Sequence, residues 1–157
     1  MELIKQIEHD IKNAMLAKNA DKLRALRGLK KALQDKETEK RGQERNAETK
    51  LTPADELNVI QKSLKTRRES LAIYQAANRN DLVTIETDEI NVIEAYLPKQ
   101  LSIDEVTEIV KSAIAETGAT VQKDMGKVMA VAIKEIAGQC DNKTVSDIIK
   151  QHLSIPA

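Results

Sequence analysis

The chain of 157 residues has no tryptophan and no phenylalanine; its aromatics are Tyr74 and Tyr96 alone. A core must then be assembled from Leu, Ile, Val, Ala and Met, which suits interdigitating helices. The shortage also bounds recognition. Single-stranded nucleic acids are gripped largely by stacking bases on aromatic platforms, and two tyrosines cannot make one. Any RNA bound here would be read through its backbone and shape. The single cysteine, Cys140, excludes an internal disulfide framework and fits a reducing compartment. No apolar run approaches the roughly 18 residues that span a bilayer, so no membrane partner is expected. Glu2, Lys5, Glu8 and Asp10, interspersed among the first apolar residues, do not read as a signal peptide. The expectation is a soluble, cytoplasmic protein.

What the chain has in quantity is charge, unevenly placed. The 25 basic and 25 acidic residues cancel overall. Residues 18–79 nevertheless hold 16 Lys and Arg against 9 Asp and Glu, an excess of seven positive charges. Residues 80–116 hold 2 against 9, an excess of seven negative. A basic half attracts phosphates even when the whole chain is neutral. The competing reading is a dipolar protein whose charges only solvate its helix faces.

Hydrophobic spacing of three and four residues predicts helices throughout. Helix one is expected from about Glu2 to Lys18, ending at Asn19, and helix two from about Asp21, burying Leu23, Leu26, Leu29 and Leu33. From Gln34 to Lys50 only Ala47 is apolar, so this stretch is either a solvent-projecting helical extension or a mobile loop. Thr52-Pro53 with Asp55 and Glu56 marks the start of helix three, whose stripe is Leu57, Ile60, Leu64, Leu71 and Tyr74. Helix four, about Asp81 to Tyr96, carries Leu82, Ile85, Ile90 and Ile93. The residue before a proline is pushed out of the helical region, so Leu97-Pro98 marks a boundary. Ser102 and Glu105 form a capping box that reopens the chain into a helix burying Ile103, Val106, Val110 and Ile114. Gly118 is expected to close that helix, and Gly138 the next one, which buries Met125, Val128, Met129, Ala132 and Ile136. A last helix from Thr144 to Leu153 buries Val145, Ile148 and Ile149. No segment alternates with period two. The fold class is all-α, with an antiparallel domain of about four helices over residues 1–97 and a three-helix domain over 98–157.

Three features carry candidate sites. On helix two, Arg24, Arg27 and Lys31 share a strip opposite the leucines, with Gly28 beside it. That glycine costs about 1 kcal/mol relative to alanine in a helix, which fits a place where a backbone or phosphate must approach, or is simply tolerated on a solvated face. On helix three, Arg67 occupies an apolar slot between Leu64 and Leu71. It is expected to snorkel, to pair with Glu86 or Glu89, or to reach a phosphate. Lys62 and Lys65 lie on the solvent side, and Arg68 flanks them. In the third feature, Asp124-Met125-Gly126-Lys127-Val128-Met129, the apolar members have core spacing. Met125, Lys127 and Met129 could alternatively form a partner-docking patch, with Gly126 permitting close packing. His9, His152 and Cys140 have no partners at catalytic or metal-ligand spacing, and no phosphate-cradling glycine motif or nucleophile elbow is present. No catalytic residue, metal or cofactor is expected.

Several phrases together resemble the GatB/YqeY family, free-standing relatives of the C-terminal tail of the tRNA-dependent amidotransferase B subunit. They are Leu26-Arg27-x-Leu29-Lys30-x-Ala32-Leu33, Arg67-Arg68-x-Ser70 and Ala77-Asn78-Arg79-x-Asp81-Leu82, followed by Tyr96-Leu97-Pro98-x-Gln100-Leu101 and the Asp124–Met129 run. Asn78 stands where the family usually has glycine. The resemblance implies an N-terminal helical domain followed by a small three-helix one. It also implies tRNA contact through backbone phosphates, and an association with amidation by a carbon-nitrogen ligase that uses glutamine as amido donor. The partners implied are tRNA and an amidotransferase or synthetase. No residue here matches a phosphoryl or ammonia site of the amidotransferase body. A helical protein-interaction adaptor is the alternative function.

Overall fold

A computed structural model describes residues 2–153 and contains seven α-helices with no strand among them. They are α1 (Leu3–Leu16), α2 (Ala20–Glu44), α3 (Pro53–Ala76), α4 (Asn80–Glu94), α5 (Ile103–Thr117), α6 (Met125–Ile136) and α7 (Asn142–His152). The chain divides into two compact units, one ending at Tyr96 and the other starting at Leu97.

In the first unit α2 is the central element and packs against α1, α3 and α4. Turns of three residues join α1 to α2 and α3 to α4, so each pair forms a helical hairpin. Both turns depend on one left-handed residue: Lys18 at φ 52° and Asn78 at φ 54°. Asn tolerates that conformation well, and the glycine-to-asparagine exchange leaves the turn intact. At the first turn the sequence points to Asn19 as the terminator. Lys18 takes that role instead, and the Asn19 side chain caps α2 by accepting the Lys22 N–H at 3.1 Å. The core comprises Ile7 and Ala14 from α1, Leu26, Leu29 and Leu33 with Ala25 from α2, Val59, Ile60 and Leu64 from α3, and Ile90 and Ile93 from α4. Burying each leucine stabilises the unit by about 1.5–3 kcal/mol.

The polar stretch after Leu33 continues as helix to Glu44 and is tied down rather than loose. Lys40 reaches Asp55 at 2.6 Å, Arg41 pairs with Glu37, and the Arg41 Nε–H donates to the Thr49 carbonyl at 3.0 Å. Arg45, left-handed at φ 52°, ends α2. Thr52 and Asp55 close a reciprocal capping box that starts α3.

The second unit has its own core: Val106, Val110 and Ala113 of α5, Val128, Ala132 and Ile136 of α6, and Val145, Ile148 and Ile149 of α7. Ser102 and Glu105 cap α5 reciprocally, and Gly118 ends it at φ 65°. The α6 helix ends one residue earlier than the sequence indicates, on Ala137 at φ 47°, with Gly138 following at φ 81°. Asp141 caps α7 by accepting the Thr144 N–H. Ile103, expected inside, lies on the outer side of the first turn of α5 and is 59% exposed.

Candidate nucleic-acid interface

The seven cations singled out on helices two and three, Arg24, Arg27, Lys31, Lys62, Lys65, Arg67 and Arg68, do not share one environment. Arg67 turns inward, where its guanidinium bonds Glu89 and lies 3.6 Å from Glu86. Glu89 is almost fully buried. It also faces Arg24 Nη1 at 3.5 Å, and Arg24 Nη2 reaches Asp21 at 3.2 Å. The result is a partly buried network, Arg24–Glu89–Arg67–Glu86, shared by α2, α3 and α4. A buried carboxylate is tolerated when charge and hydrogen bonds compensate it, and two arginines do so here. Arg67 therefore takes the ion pair that its place in an apolar stripe permits. Arg68 bonds Glu94 at 2.7 Å, and Lys31 bonds Asp35 at 2.6 Å, both at exposed positions.

A Cβ at Gly28 would lie 3.3 Å from Arg67 Nη2, so the arginine of α3 approaches α2 at this glycine. Arg27, Lys62 and Lys65 are exposed. No carboxylate lies within 4.0 Å of any of them among the described residues. Of the seven, these three keep a free positive head. Lys31 adds a fourth, because an exposed i,i+4 pair is worth only a few tenths of a kcal/mol and gives way to a phosphate.

In the second unit the apolar members of the docking patch are half-buried. Met125 and Met129 pack against the core, where flexible thioethers fill the space around Val128 and Ala132. Lys127 is exposed. Gly126 has open space where a Cβ would lie, so close packing does not require it. Asp124 accepts the Thr120 and Val121 N–H groups at 3.2 and 3.4 Å, which holds its carboxyl below the ordinary value and fixes the entry to α6. His9 and His152 are exposed and Cys140 is buried, with burial pushing the thiol up from its usual value. Among the described residues no cluster of His, Cys, Asp or Glu is placed to hold a metal ion, and no helix is long and apolar enough to cross a membrane.

Sequence reasoning also missed a long-range contact of Tyr96. The Tyr96 hydroxyl donates to the Asp10 carboxylate, 86 positions away, and Gln6 Nε2 donates to the same group at 3.2 Å. This tyrosine opens the Tyr-Leu-Pro phrase, and a half-buried phenol with a polar tip is the signal that it needed a partner.

Seven helices in two compact units, with a cation-rich hairpin pair in the first, define a small all-α protein. Residues 4–153 match the family model for Yqey-like protein, and the chain belongs to that family. It is 27% identical over 154 residues to a protein of Pyrenophora tritici-repentis named altered inheritance of mitochondria protein 41, mitochondrial, covering 95% of this chain and 80% of that one. A Saccharomyces cerevisiae protein of the same name is 29% identical over 147 residues, covering 88% and 70%. The cytoplasmic expectation, drawn from the lone cysteine and the opening residues, is corrected by these relatives, which are named as mitochondrial proteins.

Proposed function

We propose that this protein is an accessory module that holds tRNA through its sugar-phosphate backbone, without a catalytic centre of its own. The observation carrying this reading is that Arg27, Lys62 and Lys65, on two adjoining helices, are exposed with no carboxylate within ion-pair distance among the described residues. Lys31 is held only by an exposed pair. They lie within a stretch whose charge excess, 16 basic against 9 acidic residues, favours polyanions. Any link to tRNA-dependent amidation is then that of a helper to an amidotransferase or synthetase, as the resemblance to the B-subunit tail implies. Mitochondria, for which the fungal relatives are named, are the setting in which to test it.

Phosphate-dominated binding falls linearly in log salt, with a slope of about 0.9 per contact on duplex and less on single strands. Four contacts predict a slope of about −3. Fluorescence titration of total tRNA at several salt concentrations measures it. Reversing Arg27, Lys31, Lys62 and Lys65 to glutamate should abolish binding, whereas unchanged affinity would dispose of the reading.

A second reading, a protein-interaction adaptor, is favoured by one observation. Ile103 and Ile133, on the packed pair α5 and α6, are large apolar residues exposed at 59% and 37%. It replaces Met125 and Met129 as the apolar carriers. Partner capture that survives high salt and the four reversals, and is lost in an Ile103→Asp, Ile133→Asp variant, would select it.

A further inference from the structure

Alongside the charge network, α2 and α3 leave a cleft of about 550 Å³. Its lining includes Ala32 and Val59 as apolar surface, three hydroxyls of α3 (Ser63, Thr66 and Ser70), and both signs of charge. The charged groups divide into those already satisfied and those left over. Lys36 bonds Glu39 at 3.0 Å, Asp35 bonds Lys31, and Arg67 bonds Glu89. Two remain. Lys62 has no carboxylate within 4.0 Å among the described residues. Glu86, 16% exposed, has a buried Oε2 without a hydrogen-bond donor, since Arg67 Nη1 at 3.6 Å is beyond hydrogen-bonding reach. A buried carboxylate oxygen left unbonded is unfavourable, and a donor brought by a ligand relieves that.

We propose that this cleft binds a small zwitterion of amino-acid size. Its ammonium is taken by Glu86, its carboxylate by Lys62, and a polar side chain by the hydroxyls of Ser63, Thr66 and Ser70. A net anion such as free phosphate fits poorly, because the cleft's three carboxylates balance its three cations. The volume is ample for one amino acid, and a ligand of so few atoms binds in the millimolar range. The inference does not depend on RNA binding.

The experiment is a titration of the full chain with each of the twenty common amino acids, followed by nuclear magnetic resonance of backbone amides. At least one should give saturable shifts at residues lining the cleft. Its N-acetylated and C-amidated derivatives, each lacking one charge, should bind about tenfold more weakly, as expected when one charged hydrogen bond is lost. Glu86→Gln, nearly isosteric, should remove the preference for the free amine, and Lys62→Met the preference for the free carboxylate. Silence from all twenty, or equal binding of capped and uncapped forms, overturns the proposal. If either variant fails to fold, the capping comparison on the unaltered protein still decides. Glu86→Gln also separates this site from the RNA reading, in which Glu86 plays no part.

Discussion

Arg67 is a cation in an apolar stripe, and Glu89 is the anion that permits it. Glu89 follows Ile85 and precedes Ile93 at four-residue spacing, so an acid in one stripe faces a base in another. Both departures from hydrophobic spacing were legible, and their pairing was among the options they left. That Arg24 joins from a third helix, and that Gly28 makes room for Arg67, needed coordinates, because lateral approach between helices leaves no periodic mark. Arg67→Met should destabilise the protein by about 3 kcal/mol in urea unfolding, since it leaves Glu89 buried beside only the half-exposed Arg24. Adding Glu89→Leu should recover much of that loss, a coupling of about 2 kcal/mol. Strictly additive losses would mean the pair is not buried as described. Asp10 supplies a second test. The hydrogen bond from Tyr96 holds its carboxyl below the ordinary 3.8. A carboxylate lowered in the folded state stabilises the fold above its unfolded pKa, and that contribution drains away as pH falls below about 4. Asp10→Asn and Tyr96→Phe should each flatten the acid limb of stability against pH. Tyr96 itself is raised from 10.0 by burial and by Asp10, so its contribution is complete below about pH 10 and wanes only in stronger base.

The helices illustrate which signals travel through sequence. Caps did: Thr52-Pro53-x-Asp55 and Ser102-x-x-Glu105 start α3 and α5 where side-chain chemistry indicates. Terminators were read less well, because any residue can be forced left-handed when the next helix needs its start. Lys18 and Ala137 are such cases. Alanine at φ 47° is strained by about 1 kcal/mol, so Ala137→Gly should stabilise the protein by roughly that amount in chemical denaturation. The far end of α2 is helical without buried apolar residues beyond Leu33, its side chains engaged in pairs such as Arg41–Glu37 and Lys40–Asp55. Such a segment opens more readily than a packed one. Amides of residues 36–44 should exchange with solvent at least tenfold faster than those of residues 26–33. Uniform protection along α2 would show that the polar pairs matter more than packing.

Both clusters of buried residues are assembled from chain segments on their own side of the boundary, and the second draws only on residues after Leu97. The proline and the capping box that follows it made this division visible in the sequence. A fragment of residues 97–157 should therefore be helical and melt cooperatively by circular dichroism, and in the full chain Leu29→Ala should leave the second unit's midpoint unaltered. That substitution should cost the first unit about 2–5 kcal/mol. A fragment that is unfolded in isolation would show that the units depend on each other for stability. The charge segregation was equally plain, but its outcome was not, since acidic α4 folds beside basic α3 and neutralises Arg67 and Arg68. Finally, Tyr74 and Tyr96 are the sole ultraviolet fluorophores, and both precede Leu97. Intrinsic emission therefore tracks melting of one half only, and the other half is optically dark. A tryptophan in place of solvent-facing Ile133 would give it a separate beacon.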